Sequence, residues 1–263
     1  MKIITYSDLH LEFGTDFLPP QESAADVMVL AGDICVLNDY KHLNRFLSVW
    51  KKPVLYVTGN HEYYTRSPIT AENDAFKKWL SETHPNVRLL LDEPTTIEGV
   101  NFFGGTMWTN FAGGNRKAMD IAENSMNDFR LIRTENHDVL TPADTLDLHN
   151  SFVQKLVEWF ETPLSGARVV ITHHAPVINP NTKYRGSELS PAFNSLDMEE
   201  VIEKYQPDLW VYGHTHECDR QTIGKTSVLS NQLGYPNIHR DKYECADFDK
   251  DGALVTIEQP LQN

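Results

Sequence analysis

The chain has 263 residues, a formal net charge of −14 and a pI near 5.1, with 40 % apolar and 23 % charged residues, an ordinary globular balance with enough length for one large core. No run of Lys or Arg exceeds two, so the basic stripe of a duplex nucleic-acid surface is missing. Three scattered cysteines (Cys35, Cys218, Cys245), no apolar stretch near the roughly 20 residues of a membrane span, and an opening "MKIITYSDLH" without a signal-peptide apolar core lead us to expect a reduced, soluble, cytoplasmic protein.

In chain order, apolar runs predict strands at "KIITYS", "DVMVLA", "PVLYVT", "VRLLL", "NFFGGT", "ARVVIT" and "DLWVYG". Helices are predicted over 39–50, 70–83, about 116–128, 142–162 and 196–204. The helix from 142 opens on Thr141-Pro142-Ala143-Asp144, a cap residue followed by Pro in the first turn. Its apolar face is expected to carry Leu148, Phe152, Leu156, Val157 and Phe160. "DRQTIGKTSVLSN" predicts two strands around Ile223-Gly224-Lys225, and 243–258 predicts another hairpin.

The expected fold is therefore α/β, with a largely parallel N-terminal half meeting a more antiparallel C-terminal half as two packed mixed β-sheets flanked by helices. One domain over 1–263 is expected. The least regular stretches, 107–140 and 175–196, are long enough to be functional loops, the first as an inserted segment. Trp50, Trp79, Trp159 and Trp210 fall on apolar faces and are expected in the core.

Five of these strands end on polar residues of one kind. "KIITYS" runs into Asp8-Leu9-His10, "DVMVLAG" into Asp33, "PVLYVTG" into Asn60-His61, "ARVVIT" into His173-His174 and "DLWVYG" into His214-Thr215-His216. Six of the eleven histidines occupy these positions, which lie at the sheet edge where open α/β sheets bind ligands. A single such residue is a turn Asp or a buried, satisfied His; five strand ends of the same kind point to a site. Asp, Asn and His are donors suited to Mn, Fe, Zn, Co or Ni. They outnumber the needs of one ion, whereas two divalent ions about 3.5–4 Å apart, sharing a carboxylate, would use them, an arrangement suited to phosphoester hydrolysis.

The motifs "DLH", "GD", "GNHE", "THHAP" and "GHTH", in this order from Asp8 to His216, resemble the calcineurin-like metallophosphoesterase superfamily. The resemblance implies two packed sheets with a dimetal site where their edges meet, and hydrolysis of a phosphate ester through in-line attack by a hydroxide bridging the ions. Carried over, Asp8, His10 and His216 would hold one metal, Asn60, His173 and His214 the other, and Asp33 both. His61 would contact substrate or protonate the leaving group. The pattern prefers His173 over His174 as the ligand, leaving His174 to line the pocket, and Glu62 reads as a residue that orients the ligands or pairs with a charge.

Protein Ser/Thr phosphatases of this superfamily carry GDxxDRG and an Arg before GNHE; here stand "GDICVLND" and "TGNHE", so that class is disfavoured, as is a duplex nuclease by the acidity. The expected substrate is a small phosphodiester, phosphomonoester or nucleotide, as in small bacterial phosphohydrolases of the superfamily; a non-catalytic scaffold would have lost ligands. Nothing in the sequence fixes an oligomeric state. Candidate substrate contacts are Asn127-Asp128-Phe129-Arg130, Arg185, Tyr63, Tyr64, Trp108 and Tyr184, with Arg130 preferred because the 107–140 segment could fold over the site. "DFDKDGALVTIE" (247–258) spells a calcium loop but lacks the flanking helices, and Cys35 and Cys218, each two residues from a candidate ligand, read as packing residues.

Overall fold

Strands buried on both faces read as continuous apolar runs, and most of the runs above take that place. The computed structural model describes residues 1–14, 17–237 and 242–258. The chain passes through β1 (Lys2–Tyr6), β2 (Val27–Ala31), α1 (Lys41–Val49), β3 (Val54–Val57), α2 (Ile69–Thr83), β4 (Val87–Leu89), β5 (Glu93–Ile97) and β6 (Val100–Gly105). Next come α3 (Phe111–Gly114), α4 (Arg116–Ser125), α5 (Asp128–Leu131), α6 (Pro142–Glu161), β7 (Arg168–Thr172), α7 (Asp197–Tyr205) and β8 (Leu209–Tyr212). It ends with β9 (Asp219–Ile223), β10 (Thr226–Ser230), β11 (Pro236–Asn237), β12 (Lys242–Tyr243) and β13 (Val255–Thr256).

Two mixed sheets result, one in the order β13-β1-β2-β3-β4 and one in the order β5-β6-β7-β8-β10-β9. Their facing sides interleave Ile3, Val27, Val29 and Leu55 with Phe102, Val169, Ile171 and Val211. Alternate residues face outward: Met28, Leu30 and Tyr56 cover Phe46 of α1 and Phe76 of α2, while Val170, Trp210 and Tyr212 cover Phe152 of α6 and Ile202 of α7. The fold is thus helix, sheet, sheet, helix. No helix among the described residues is long and apolar enough to cross a membrane.

The expected division into a parallel and an antiparallel half does not hold. Both sheets are parallel at their centres, because α6 and α7 supply crossovers in the second half as α1 and α2 do in the first. Among the described residues, antiparallel pairing is found at the edge strands β13, β5 and β9, in the β11–β12 ribbon and in an isolated bridge between Arg133 and Val139. β5 escaped notice because it is a half-exposed edge strand carrying Pro94. The hairpin expected over 243–258 is also absent. Tyr243 pairs with β11, while Val255 crosses to β1. Between them the Asp249 carboxylate accepts from the Asp251 and Ala253 N–H groups, which accounts for the calcium-like spelling.

On α6 both halves of the capping box form between Thr141 and Asp144. The buried stripe is Thr145, His149, Phe152, Leu156, Trp159 and Phe160. Leu148 is exposed instead, one residue off the face that α6 turns to β6 and β7. Trp50, Trp159 and Trp210 are buried, and Trp79 is partly buried against α1's side of the core.

Candidate metal centre

Parallel strands of both sheets deliver their carboxyl ends to one edge. β1 leads to Asp8 and His10, β2 to Asp33, β3 to Asn60 and His61, β7 to His173 and β8 to His214 and His216, all buried. Left-handed backbone occurs at Asp8 (φ +52°), His10 (+44°), Asp33 (+53°), His214 (+73°) and His216 (+50°). Such angles cost free energy for residues with a Cβ and collect at functional sites. Gly32, at φ +83°, and Gly59 lie where a Cβ would run into the His173 ring and the Asp33 carboxylate, so both turns need glycine.

Among the described residues, three groups have their ligand atoms within 4.8 Å of one another: Asp8, His10 and His216; His10, Asp33 and His61; and Asp33, His173 and His214. Asp33 belongs to two of them, the position of a shared carboxylate. Asn60 joins the last group, with Oδ1 3.0 Å from His173 Nε2 and 3.1 Å from His214 Nδ1. The hydrogen bonds behind the rings fix which nitrogen faces inward. His173 Nδ1 donates to the Ala31 carbonyl at 2.9 Å, His10 Nδ1 lies 3.1 Å from Glu12, and His216 Nδ1 lies 2.6 Å from Glu244. The inward nitrogens then crowd together: His10 Nε2 and His216 Nε2 meet as lone pairs at 3.1 Å, and His173 Nε2 lies 3.2 Å from His214 Nδ1, while the buried His214 Nε2 has no partner. Converging lone pairs beside buried carboxylates demand positive charge, and this neutral-oxygen, imidazole and carboxylate set fits a divalent cation.

The same demand shows in the ionisation of the residues. Burial pushes the Asp33 carboxyl up, but His173, His61 and His10 outweigh it and hold it well below its usual range. Burial lowers His173 and His61, yet Asp33, helped for His61 by Glu12, carries them to about 10 and about 9. His10 and His214 are lowered, chiefly by burial.

Other carboxylates hold this constellation in place. Glu62, fully buried, accepts from the N–H groups of Asp33 (2.9 Å), Ile34 (2.8 Å) and Gly59 (2.7 Å) and from the Tyr56 hydroxyl (2.7 Å), tying the ends of β2 and β3 together. Glu12 bridges His10 and His61, whose Nδ1 lies 3.2 Å away. Asp128, buried and delivered by α5, accepts from Asn60 Nδ2 at 2.9 Å and from the Tyr64 hydroxyl at 2.5 Å, so the Asn60 oxygen faces the histidines. Tyr235 places its hydroxyl 2.9 Å from His61 Nε2. Glu12, Glu244 and Tyr235 were missed from the sequence, and Asp128 was weighed there for a different role, a substrate contact.

A cleft of about 470 Å³ opens above these residues, lined by Asn60, His61, His214 and His216 at its floor and by residues of the 125–127 and 178–194 segments on its walls. The structure brings some expected contacts here and leaves others out. Tyr64 and Tyr184 line the cleft. Arg130 does not: it lies on the outer side of α5, where Nη2 donates to the Asn124 carbonyl at 2.6 Å. Tyr63 is buried beneath the site, bonded to Thr58 (2.7 Å) and Asn73 (2.9 Å). His174 is buried as well, between Trp108 and His214, with Nδ1 on the Thr106 carbonyl. His173, not His174, reaches the ligand groups. Arg185 bonds the Pro180 carbonyl at the surface. Cys35 is buried near Glu62, and Cys218 donates to the Gln232 carbonyl.

Comparison with known proteins follows the same lines. An uncharacterized protein of Acanthamoeba polyphaga mimivirus is 29 % identical over 285 residues, covering 97 % of this chain and 99 % of its own. A UPF0046 protein of Caenorhabditis elegans is 22 % identical over 244 residues, 88 % of this chain and 66 % of its own. The crystal structure of phosphopantetheinyl hydrolase from Mycobacterium tuberculosis superposes with a TM-score of 0.70 over 100 % of this chain and 96 % of that one, at 19 % identity, and so shares the fold. A family model described as calcineurin-like phosphoesterase matches residues 1–218, the span that carries all the strand-end residues, and the chain belongs to that family.

Proposed function

We propose that the chain is a hydrolase of small phosphate esters that works with two divalent cations. Asp8, His10 and His216 would hold one, Asn60, His173 and His214 the other, and Asp33 would contact both; Mn, Fe, Zn, Co and Ni all suit these donors. The observation that carries this reading is the overlap of the ligand groups, which share His10 and Asp33, with Asp33 lining the cleft and His10 buried. Family membership and a full-length neighbour named as a hydrolase support it.

When bound, the cations supply a nucleophile from water at neutral pH and neutralise charge on the phosphoryl oxygens. The chain's own residues do the rest. Glu12 holds His61 through Nδ1 and leaves Nε2 toward the cleft beside Tyr235. In the chain without cations, Asp33 and Glu12 raise the pKa of that ring to about 9 against the opposing effect of burial, and Glu12 remains its partner at Nδ1 when Asp33 is engaged by cations. His61 is then a general acid for the leaving oxygen, worth ~10²–10⁴-fold where that oxygen is basic. His61→Ala is expected to slow an alkyl ester more than a p-nitrophenyl ester, whose leaving group needs little help.

The test is hydrolysis of p-nitrophenyl phosphate and bis-p-nitrophenyl phosphate by metal-stripped protein, with each of the five metals added back singly. Turnover restored by metal and lost in Asp33→Asn supports the proposal. The ratio of the two rates assigns monoester or diester preference. Absence of turnover on both esters with every metal would count against a hydrolase.

A further inference from the structure

The cleft extends well past the ligand groups, and its continuation has a chemistry of its own. Met126, Ile178, Leu189 and Phe193 give it apolar walls, and Phe193 packs against the ligand candidate His214 with ring centroids 4.7 Å apart and planes tilted by 32°. The continuation therefore begins where the phosphate end stops. Ile178 and Tyr184 are 40 % and 44 % exposed, apolar surface that a ligand lying in the cleft would cover.

The charges in this part are negative. Glu217 and Glu244 line the cleft, Glu244 against His216, and no Lys or Arg lines it among the described residues. Lys183, next to Tyr184, is engaged by Glu244 at 3.2 Å and lies over the Tyr184 ring. A second anionic group on the substrate would meet two carboxylates and no cation free to pair with it. The neutral polar groups that remain, such as Asn127 and Asn194, can accept or donate single hydrogen bonds without selecting charge.

We propose that the continuation is a subsite for an uncharged, largely apolar arm several carbons long, so that the substrate is a phosphate ester of such an arm rather than a nucleoside polyphosphate or a bisphosphate. This rests on the hydrolase reading above, which puts the phosphoryl group at the cleft floor. The whole cleft, floor and continuation together, has a volume of about 470 Å³, within the ~300–1,000 Å³ of small-molecule sites.

The experiment is calorimetric titration of the metal-loaded full chain with methylphosphonate, hexylphosphonate and 5-carboxypentylphosphonate, none of which needs to be hydrolysed. Half-burial of the five added methylenes predicts hexylphosphonate binding ~30-fold tighter than methylphosphonate. The carboxylate-bearing arm of the same length is expected to bind at least ~10-fold more weakly than hexyl. Ile178→Asp, at an exposed position, and Leu189→Asp should each shrink the hexyl-to-methyl ratio below ~3-fold. A ratio near one in the wild type, tighter binding of the carboxylate arm, or no binding of any of the three overturns the subsite. A ratio of ~30 in a protein that turns over no ester keeps the subsite and removes the hydrolase, so the two failures are distinct.

Discussion

Asn60 shows how much of the site depends on residues that touch no metal. Its amide can present oxygen or nitrogen to the histidines, and Asp128 decides, by accepting from Nδ2. Asp128→Ala leaves the amide only the Tyr64 hydroxyl, 3.0 Å from Nδ2, which can accept or donate and so does not select an orientation. We expect metal affinity to fall ~10–100-fold, read by titrating metal-stripped protein, with Asp128→Asn restoring less than half of the loss because its amide, donor and acceptor at once, can pair with either orientation of Asn60 and no longer selects one. Glu244 acts likewise on His216. Burial raises its carboxyl, but His216 and Lys183 outweigh this and hold it at about 2. Because the folded state favours the ionised form, its stabilisation is complete above about pH 4.5 and disappears as pH falls toward 2. Urea unfolding of metal-free protein should therefore lose stability across that window more steeply in the wild type than in Glu244→Gln. The strand-end ligands were legible because each follows an apolar run directly. Asp128, Glu244 and Tyr235 were not, because each meets its partner across 28 to 174 residues, and no local pattern encodes that pairing.

Among the elements, those with strong local signals kept their places. α6 was legible from Thr141-Pro142 onward, since the cap, the proline and the apolar spacing all agree. Thr141→Ala should cost about 1 kcal/mol, seen as a drop of about 2–4 °C in Tm. Its face was misjudged by one position because Leu148 and His149 compete: the histidine is buried and lies 3.1 Å from Asp197, so the leucine is left outside. β13 was misread for a related reason. "ALVTIE" has strand composition, but its partner, β1, lies at the other end of the chain, and composition favours a hairpin whenever a turn is near. Gly59 joins element to site. A Cβ there would collide with the Asp33 carboxylate, so Gly59→Ala is expected to displace Asp33 and lower metal-dependent activity by at least ~10²-fold, measured on bis-p-nitrophenyl phosphate.

At the scale of the whole molecule, two sheets share one job. The first supplies Asp8, His10, Asp33 and Asn60 and the second supplies His173, His214 and His216, so the Asp8–His10–His216 and Asp33–His173–His214 groups assemble only when the sheets pack. Metal binding would then be linked to folding, and cation at 100 times its Kd should raise stability by ~2.7 kcal/mol for each site filled. The packing itself was legible, because runs buried on both faces need cover on both faces. The wall chemistry of the cleft was not, since it comes from irregular segments whose side chains take direction only from the finished fold. The most direct test of the central claim is titration of metal-stripped wild type and Asp33→Asn with Mn²⁺. The shared carboxylate predicts two equivalents bound per wild-type chain and no more than one, more weakly held, in the variant. Two equivalents bound with unchanged affinity in Asp33→Asn would contradict it.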